Sequence, residues 1–390
     1  MRSNVSFTLP PTLEAAEPPE ARGLRRDHVR LLLIPRDGGP VSDHRFDDLP
    51  WLLDPGDLVV VNDSRTLPAS LLGRTEQGAA VEIRLASRDE GEGGEGGGPR
   101  WAALPLGVPA DGSDPALVPT DARPPAPRLL GGERLVFEGS AGLPWTASHG
   151  SPARSAGGLT ATVLGRHEEA PPLLWLAFDR DGPQLLEALH RAGRPVRYAY
   201  VPRPWALHHY QTLFAATPGS VEMASAGRPF TVQTLRQLRQ RGVGLATISL
   251  HAGLSTYGDH EIDARFVPAE PYRVPAATAA AIERTHAMGR HVIAVGTTVV
   301  RTLETTGGLA GVGITRLRIS PSHRLRAVDG LLTGLHEPEA SHLDLLGAFI
   351  SPEVLRRAYD QALVAGYLWH EFGDVSLIAP GSGTTRGGSS

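Results

Sequence analysis

The sequence predicts an α/β protein whose mixed, largely parallel sheet with helices carries an inserted β-barrel-like domain. Three observations lead there. A glycine- and proline-rich stretch holds short β-like runs; helices and apolar strands alternate from about Phe230 onward; and an apolar strand, Asp57 to Val61 (DLVVV), lies before the β-rich stretch rather than after it.

In the β-rich stretch, Val81 to Ala86, Arg134 to Phe137, Leu159 to Leu164 and Leu173 to Phe178 are strand-length runs between turn-rich segments, the texture of a barrel or sandwich. Farther on, Val232, Leu235 and Leu238 form a helical stripe within Thr231 to Arg241, and Gly242 ends it. Gly244 to Leu250 (GLATISL) is then a buried strand, Ala276 to Met288 a helix, His291 to Val295 (HVIAV) a second buried strand, and Thr298 to Glu304 a third helix. This alternation implies parallel strands joined by crossovers. The economical division assigns residues 1–66 and 205–379 to one discontinuous α/β domain, 67–204 to the insertion and 380–390 to a flexible tail.

With 390 residues, 41% of them hydrophobic and 21% charged, the chain can bury ordinary cores. It has no cysteine, which excludes disulfides, thiolate metal sites, iron–sulfur clusters and a cysteine nucleophile. All 38 basic residues are arginine, which excludes a Schiff-base or P-loop lysine. A net charge of -4 provides no global attraction to nucleic acid, so an RNA partner requires a local basic patch, for which Arg194, Arg197 and Arg203 are candidates. No apolar run approaches the roughly 18 to 20 residues that span a bilayer, and the first residues lack an export signal, so a cytoplasmic protein without membrane contact is expected.

Two motifs are decoys. Gly91, Gly93 and Gly96 satisfy a dinucleotide-binding spacing but lie in an acidic glycine run with no helix after it, and His370-Glu371 lacks the second histidine of a zinc-protease helix. Stronger signals come from strand ends. The strand ending at Val295 turns at Gly296 into a helix whose first turn holds Thr297 and Thr298, with Arg301 one turn along; a simple N-cap and a solvent-facing arginine would give the same pattern. The strand ending at Leu250 delivers His251, Ser255, Thr256 and Tyr257 to the same expected edge. Gly219, Ser220, Ser225 and Gly227 form a small-residue loop that lets backbone amides approach a ligand, and Asn62-Asp63-Ser64-Arg65 closes the first strand, alternatively as a plain Asx turn.

Asp57 to Arg74, Tyr210 to Thr231, His251 to Tyr257, Val292 to Thr305 and Val328 to Pro338 resemble, in order, blocks of the S-adenosylmethionine:tRNA ribosyltransferase-isomerase family of queuosine biosynthesis, as does the end from Tyr367 to Ile378. The resemblance implies an α/β domain with an inserted β-barrel, and transfer and isomerisation of the ribosyl part of S-adenosylmethionine onto 7-aminomethyl-7-deazaguanine in tRNA. Epoxyqueuosine is formed and adenine and methionine are released. S-adenosylmethionine serves as the ribosyl-donating co-substrate, no metal is required, and monomer and homodimer both stay open. The sulfonium acidifies the adjacent C5' hydrogens, so a base need only remove one of them. His251 and Asp63 are the candidate catalytic residues. Asn62, Arg65, Tyr210, Gly219, Ser220, Ser225, Ala226, Gly227, Gly253, Tyr257, Gly296, Thr297, Thr298, Arg301 and His336 are the candidate substrate-binding residues.

The chain also departs from the family pattern. Pro229 stands where the family's PTAGLHFT has histidine, Ala264 to Glu270 lacks both histidines of HKMHSE, and Glu339 replaces the lysine of PKSTLLML. These losses leave an alternative: a divergent paralogue using S-adenosylmethionine on a non-tRNA acceptor, or a non-catalytic ligand-binding protein.

Overall fold

The computed structural model describes residues 7–89, 99–137, 158–338 and 341–380. The glycine run with Gly91, Gly93 and Gly96, the substituted Glu339 and the tail after Pro380 lie outside the described residues.

The described residues form a nine-stranded mixed sheet and a seven-stranded antiparallel one. In the first, the strands run in the order Gly311–Thr315, Glu270–Val274, Gly244–Leu250, Leu58–Asn62, Val292–Val295, Gly330–Gly334, Val375–Ala379, Arg30–Pro35 and Ser42–Arg45. The four strands Gly244–Leu250, Leu58–Asn62, Val292–Val295 and Gly330–Gly334 are parallel neighbours, as the alternation of helices and strands requires. They read as continuous apolar runs because both faces are covered: Leu58, Val60, Ile248, Leu250, Val292 and Ala294 face one core, and Val59, Val61, Ile293, Val295 and Leu332 face the other.

The helices begin where their capping chemistry dictates. Thr231 accepts the Thr234 amide at 3.1 Å to start Val232–Gln240, and Ser351 accepts the Val354 amide at 3.4 Å to start Pro352–Val364. The helix Thr297–Thr306 starts on Gly296 and stops at Gly307, whose left-handed φ of 64° ends it.

The seven-stranded sheet draws all its strands from residues 70–194. Its order is Gly193–Arg194, Ser70–Thr75, Ala80–Asp89, Arg100–Gly107, Leu174–Phe178, Leu159–Arg166 and Arg134–Phe137. Arg134–Phe137 also pairs with Ser70–Thr75, which closes six of these strands into an antiparallel barrel and removes their free edges. Leu71, Ile83, Leu104, Leu135, Val163 and Leu176 fill it.

A charged cluster is also buried in the barrel. Glu82 accepts hydrogen bonds from Ser70 (2.9 Å) and Arg84 (2.8 Å) and pairs with Arg123. Burial alone would raise its carboxyl pKa, but the Arg84 and Arg123 guanidiniums overcome this and hold it at about 2.

The chain passes from one sheet to the other through a small clasp, in which Ser64–Thr66 pairs in parallel with Thr217–Ser220. Among the described residues, no helix is long and apolar enough to cross a membrane.

Candidate active site

Parallel strands deliver their carboxyl ends to one edge, and the polar residues gathered there come from Asn62, His251 and Gly296 onward, on three adjacent strands. Asn62 ties them together. Its side-chain oxygen accepts the Leu250 and Ser64 amides, both at 3.0 Å, while its amide nitrogen donates to the Leu250 carbonyl at 2.9 Å and reaches Thr298 Oγ1 at 3.4 Å. With those bonds made, Asn62 is a clamp on the strand ends.

His251 follows directly. Its Nδ1 lies 2.8 Å from Ser64 Oγ, which lies 2.6 Å from Ser220 Oγ. Ser220 Oγ accepts the Ala252 amide at 3.0 Å and donates to the Leu250 carbonyl at 3.4 Å. The imidazole fits because residue 219 is glycine: a Cβ there would lie 2.4 Å from His251 Nδ1. Burial lowers the His251 pKa, with Asp63 opposing and Arg88 of the barrel adding to the effect, so the ring is neutral at pH 7. Asp63 is half-buried and accepts from Ser249 Oγ at 2.6 Å.

Gly296 has φ of +91°, a backbone state that side chains rarely adopt, and it aims the start of Thr297–Thr306 at the edge, leaving Thr297 and Thr298 half-buried. Ala226 packs beside it, and the turn Ser225–Gly227 brings Ser225 to a small recess shared with Gly334, His370 and Glu371.

Other expected residues lie differently. Arg301 is not solvent-facing: it pairs with buried Glu270 and donates to the Leu317 carbonyl at 2.9 Å, and Glu270 in turn accepts the Gly253 amide at 3.3 Å. Arg301→Ala should destabilise the protein by about 2 kcal/mol at pH 7.5, because it strands a buried carboxylate. Burial raises the Glu270 pKa against the pull of Arg301, so the deficit should shrink at pH 5 as Glu270 takes up a proton. Urea unfolding at the two pH values checks this, and a deficit independent of pH would contradict it.

Tyr257 is buried in the barrel-side core, its ring edge-on to Phe266 at 5.5 Å, and does not emerge at the sheet edge. Tyr210 packs near Phe372, Ala15 and Val201, apart from the His251 group, and Arg65 is exposed. His336 bonds Thr333 Oγ1 at 2.9 Å and stacks on His342, ring centroids 4.7 Å apart. Arg194, Arg197 and Arg203 do not form one basic patch, because Arg197 is buried against Asp114 and the Val201 carbonyl, and Arg203 pairs with Glu17.

Sequence reasoning missed Ser64, although it lies inside the Asn62–Arg65 block, and it missed a tyrosine–carboxylate group. Tyr198 donates to Glu222, and Tyr200 donates to Glu371 at 2.6 Å and stacks on His370 at 3.8 Å. Burial pushes Glu371 up to about 7. No local spacing pairs residues 171 positions apart.

The model of the family described as queuosine biosynthesis protein matches residues 2–378. The chain belongs to that family. Among similar curated proteins of the queuosine family are the S-adenosylmethionine:tRNA ribosyltransferase-isomerases of Acidiphilium cryptum, 35% identical with 96% of this chain and 98% of the relative covered, and of Thermus thermophilus, 36% identical with 95% and 97% covered. The crystal structure of S-adenosylmethionine tRNA ribosyltransferase from Thermotoga maritima is 28% identical, covers 96% of this chain and 99% of its own, and superposes with a TM-score of 0.49.

Proposed function

We propose that this chain transfers the ribosyl moiety of S-adenosylmethionine to the 7-aminomethyl-7-deazaguanine base of tRNA and isomerises it, forming epoxyqueuosine and releasing adenine and methionine. The near full-length similarity to enzymes of that name supports the reaction. The observation that carries the residue assignment is the hydroxyl relay behind His251.

In the proton arrangement that suits a base, Ser220 gives its proton to the Leu250 carbonyl and accepts from Ala252, while Ser64 donates to Ser220 and accepts Nδ1–H of His251. Nε2 then keeps its lone pair and can take a C5' proton acidified by the sulfonium. Asp63, beside the ring, stabilises the imidazolium that forms. The first-turn amides of Thr297 and Thr298 offer donors to the co-substrate.

The test is to incubate the purified protein with S-adenosylmethionine, with and without tRNA carrying the aminomethyl base, and to follow adenine and methionine by chromatography. Release that depends on the tRNA is expected. Release without tRNA would assign another acceptor, and no release in either case would overturn the reading.

A further inference from the structure

A cavity of about 100 Å³ lies where the barrel meets the segment that follows it, several times the ~10–15 Å³ that one water needs. Ser70, Glu82, Asp114 and Arg194 line it from the barrel sheet and its loops, and Trp205 and Tyr210 from the returning chain. Its acids are already engaged: Glu82 with Arg84, Arg123 and Ser70, and Asp114 with Arg197 and the Ala116 amide.

The side-chain groups left over can each donate a hydrogen bond. Tyr210 is only 4% exposed and its hydroxyl has no hydrogen-bond partner; the buried Trp205 indole N–H has none either. Among the described residues the Arg194 guanidinium has no carboxylate partner. A cavity whose free side-chain groups can each donate, one of them permanently cationic, favours a ligand that accepts and is negatively charged.

We propose that this cavity is a phosphate subsite. Resting on the tRNA reading above, its occupant is a backbone phosphate of the tRNA, held by Arg194, Tyr210 and Trp205. Unlike a diffuse basic face, such a subsite places one phosphate at a fixed point beside the barrel.

Two arms test it on the full chain. In the first, inorganic phosphate is titrated while the indole N–H resonances are followed by NMR, with Trp205→Phe identifying the signal of Trp205. That signal should move in the wild type and stay still in Arg194→Ala. In the second, tRNA affinity is measured against salt concentration. Arg194→Ala should bind roughly ten-fold more weakly at 0.1 M salt, with a salt slope shallower by about 0.7–0.9, the loss of one phosphate contact. Tyr210→Phe should weaken binding several-fold and leave the slope unchanged, since it removes a neutral donor.

A phosphate response lost in Arg194→Ala while tRNA affinity ignores both variants would support the subsite and overturn RNA as its source. A wild-type protein that binds no tRNA yet keeps the phosphate response would sink the tRNA reading and leave the subsite standing. An unmoved Trp205 signal together with unchanged tRNA affinity overturns the proposal.

Discussion

Replacing His251 by alanine should lower kcat by about 10²- to 10⁴-fold, the range that a positioned general base contributes, while the Kd for S-adenosylmethionine changes little. The fold should survive, because the ring packs against Gly219 at a half-buried edge and its removal leaves Ser64 and Ser220 hydrogen-bonded to each other. A pH profile separates this role from a structural one. Burial lowers the His251 pKa, so the acidic limb of kcat/KM in the wild type should fall below 6.5, the ordinary imidazole value, and disappear in the variant. Ser64→Ala should retain more activity than His251→Ala and shift that limb, since it removes the hydroxyl proposed to accept Nδ1–H. A variant lacking His251 that turns over at the wild-type rate would refute the assignment.

Glu82→Ala should destabilise the barrel by about 3–5 kcal/mol, because it leaves Arg84 and Arg123 buried without their shared counter-charge. Thermal or urea unfolding measures it, and a loss below about 1 kcal/mol would show that the two arginines find other partners. The wild type carries a related pH dependence. The folded pKa of Glu82 is depressed from 4.5 to about 2, so its contribution is fully present above about 4.5 and is lost as pH falls through about 2. That acid-labile contribution, on the order of 3 kcal/mol, should be absent from Glu82→Ala. Acid titration of the two proteins should therefore narrow the gap between them from about pH 4.5 downward and close most of it only below about pH 2.

Much of the framework was legible in the sequence because apolar runs and turn residues report local geometry. Gly244 to Leu250, Arg134 to Phe137 and the helix from Ala276 stand where the pattern puts them. Glu270–Val274 and Gly311–Thr315 were not legible: these short strands hold Pro271, Gly311 and Gly313 and expose Val312 and Ile314, and antiparallel pairing with each other supports them. At the site, residues at strand ends could be named, since topology brings those ends to one edge. Their partners could not. Arg301 sits one helical turn past Thr297, as if aimed at a ligand, yet Glu270, on another strand, captures it. Tyr257 follows His251 by six residues, but the chain has by then entered the barrel-side core. Contacts between distant segments leave no periodicity to detect.

The clasp between the two sheets ties the barrel to the His251 group. Ser64 and Ser220 belong to the paired strands Ser64–Thr66 and Thr217–Ser220, and only Leu67 to Ala69 separate the first of these from barrel strand Ser70–Thr75. The barrel is thus joined through three residues to the hydroxyls that hydrogen-bond His251, and a load on the barrel is expected to reach the residue proposed as proton acceptor by that route.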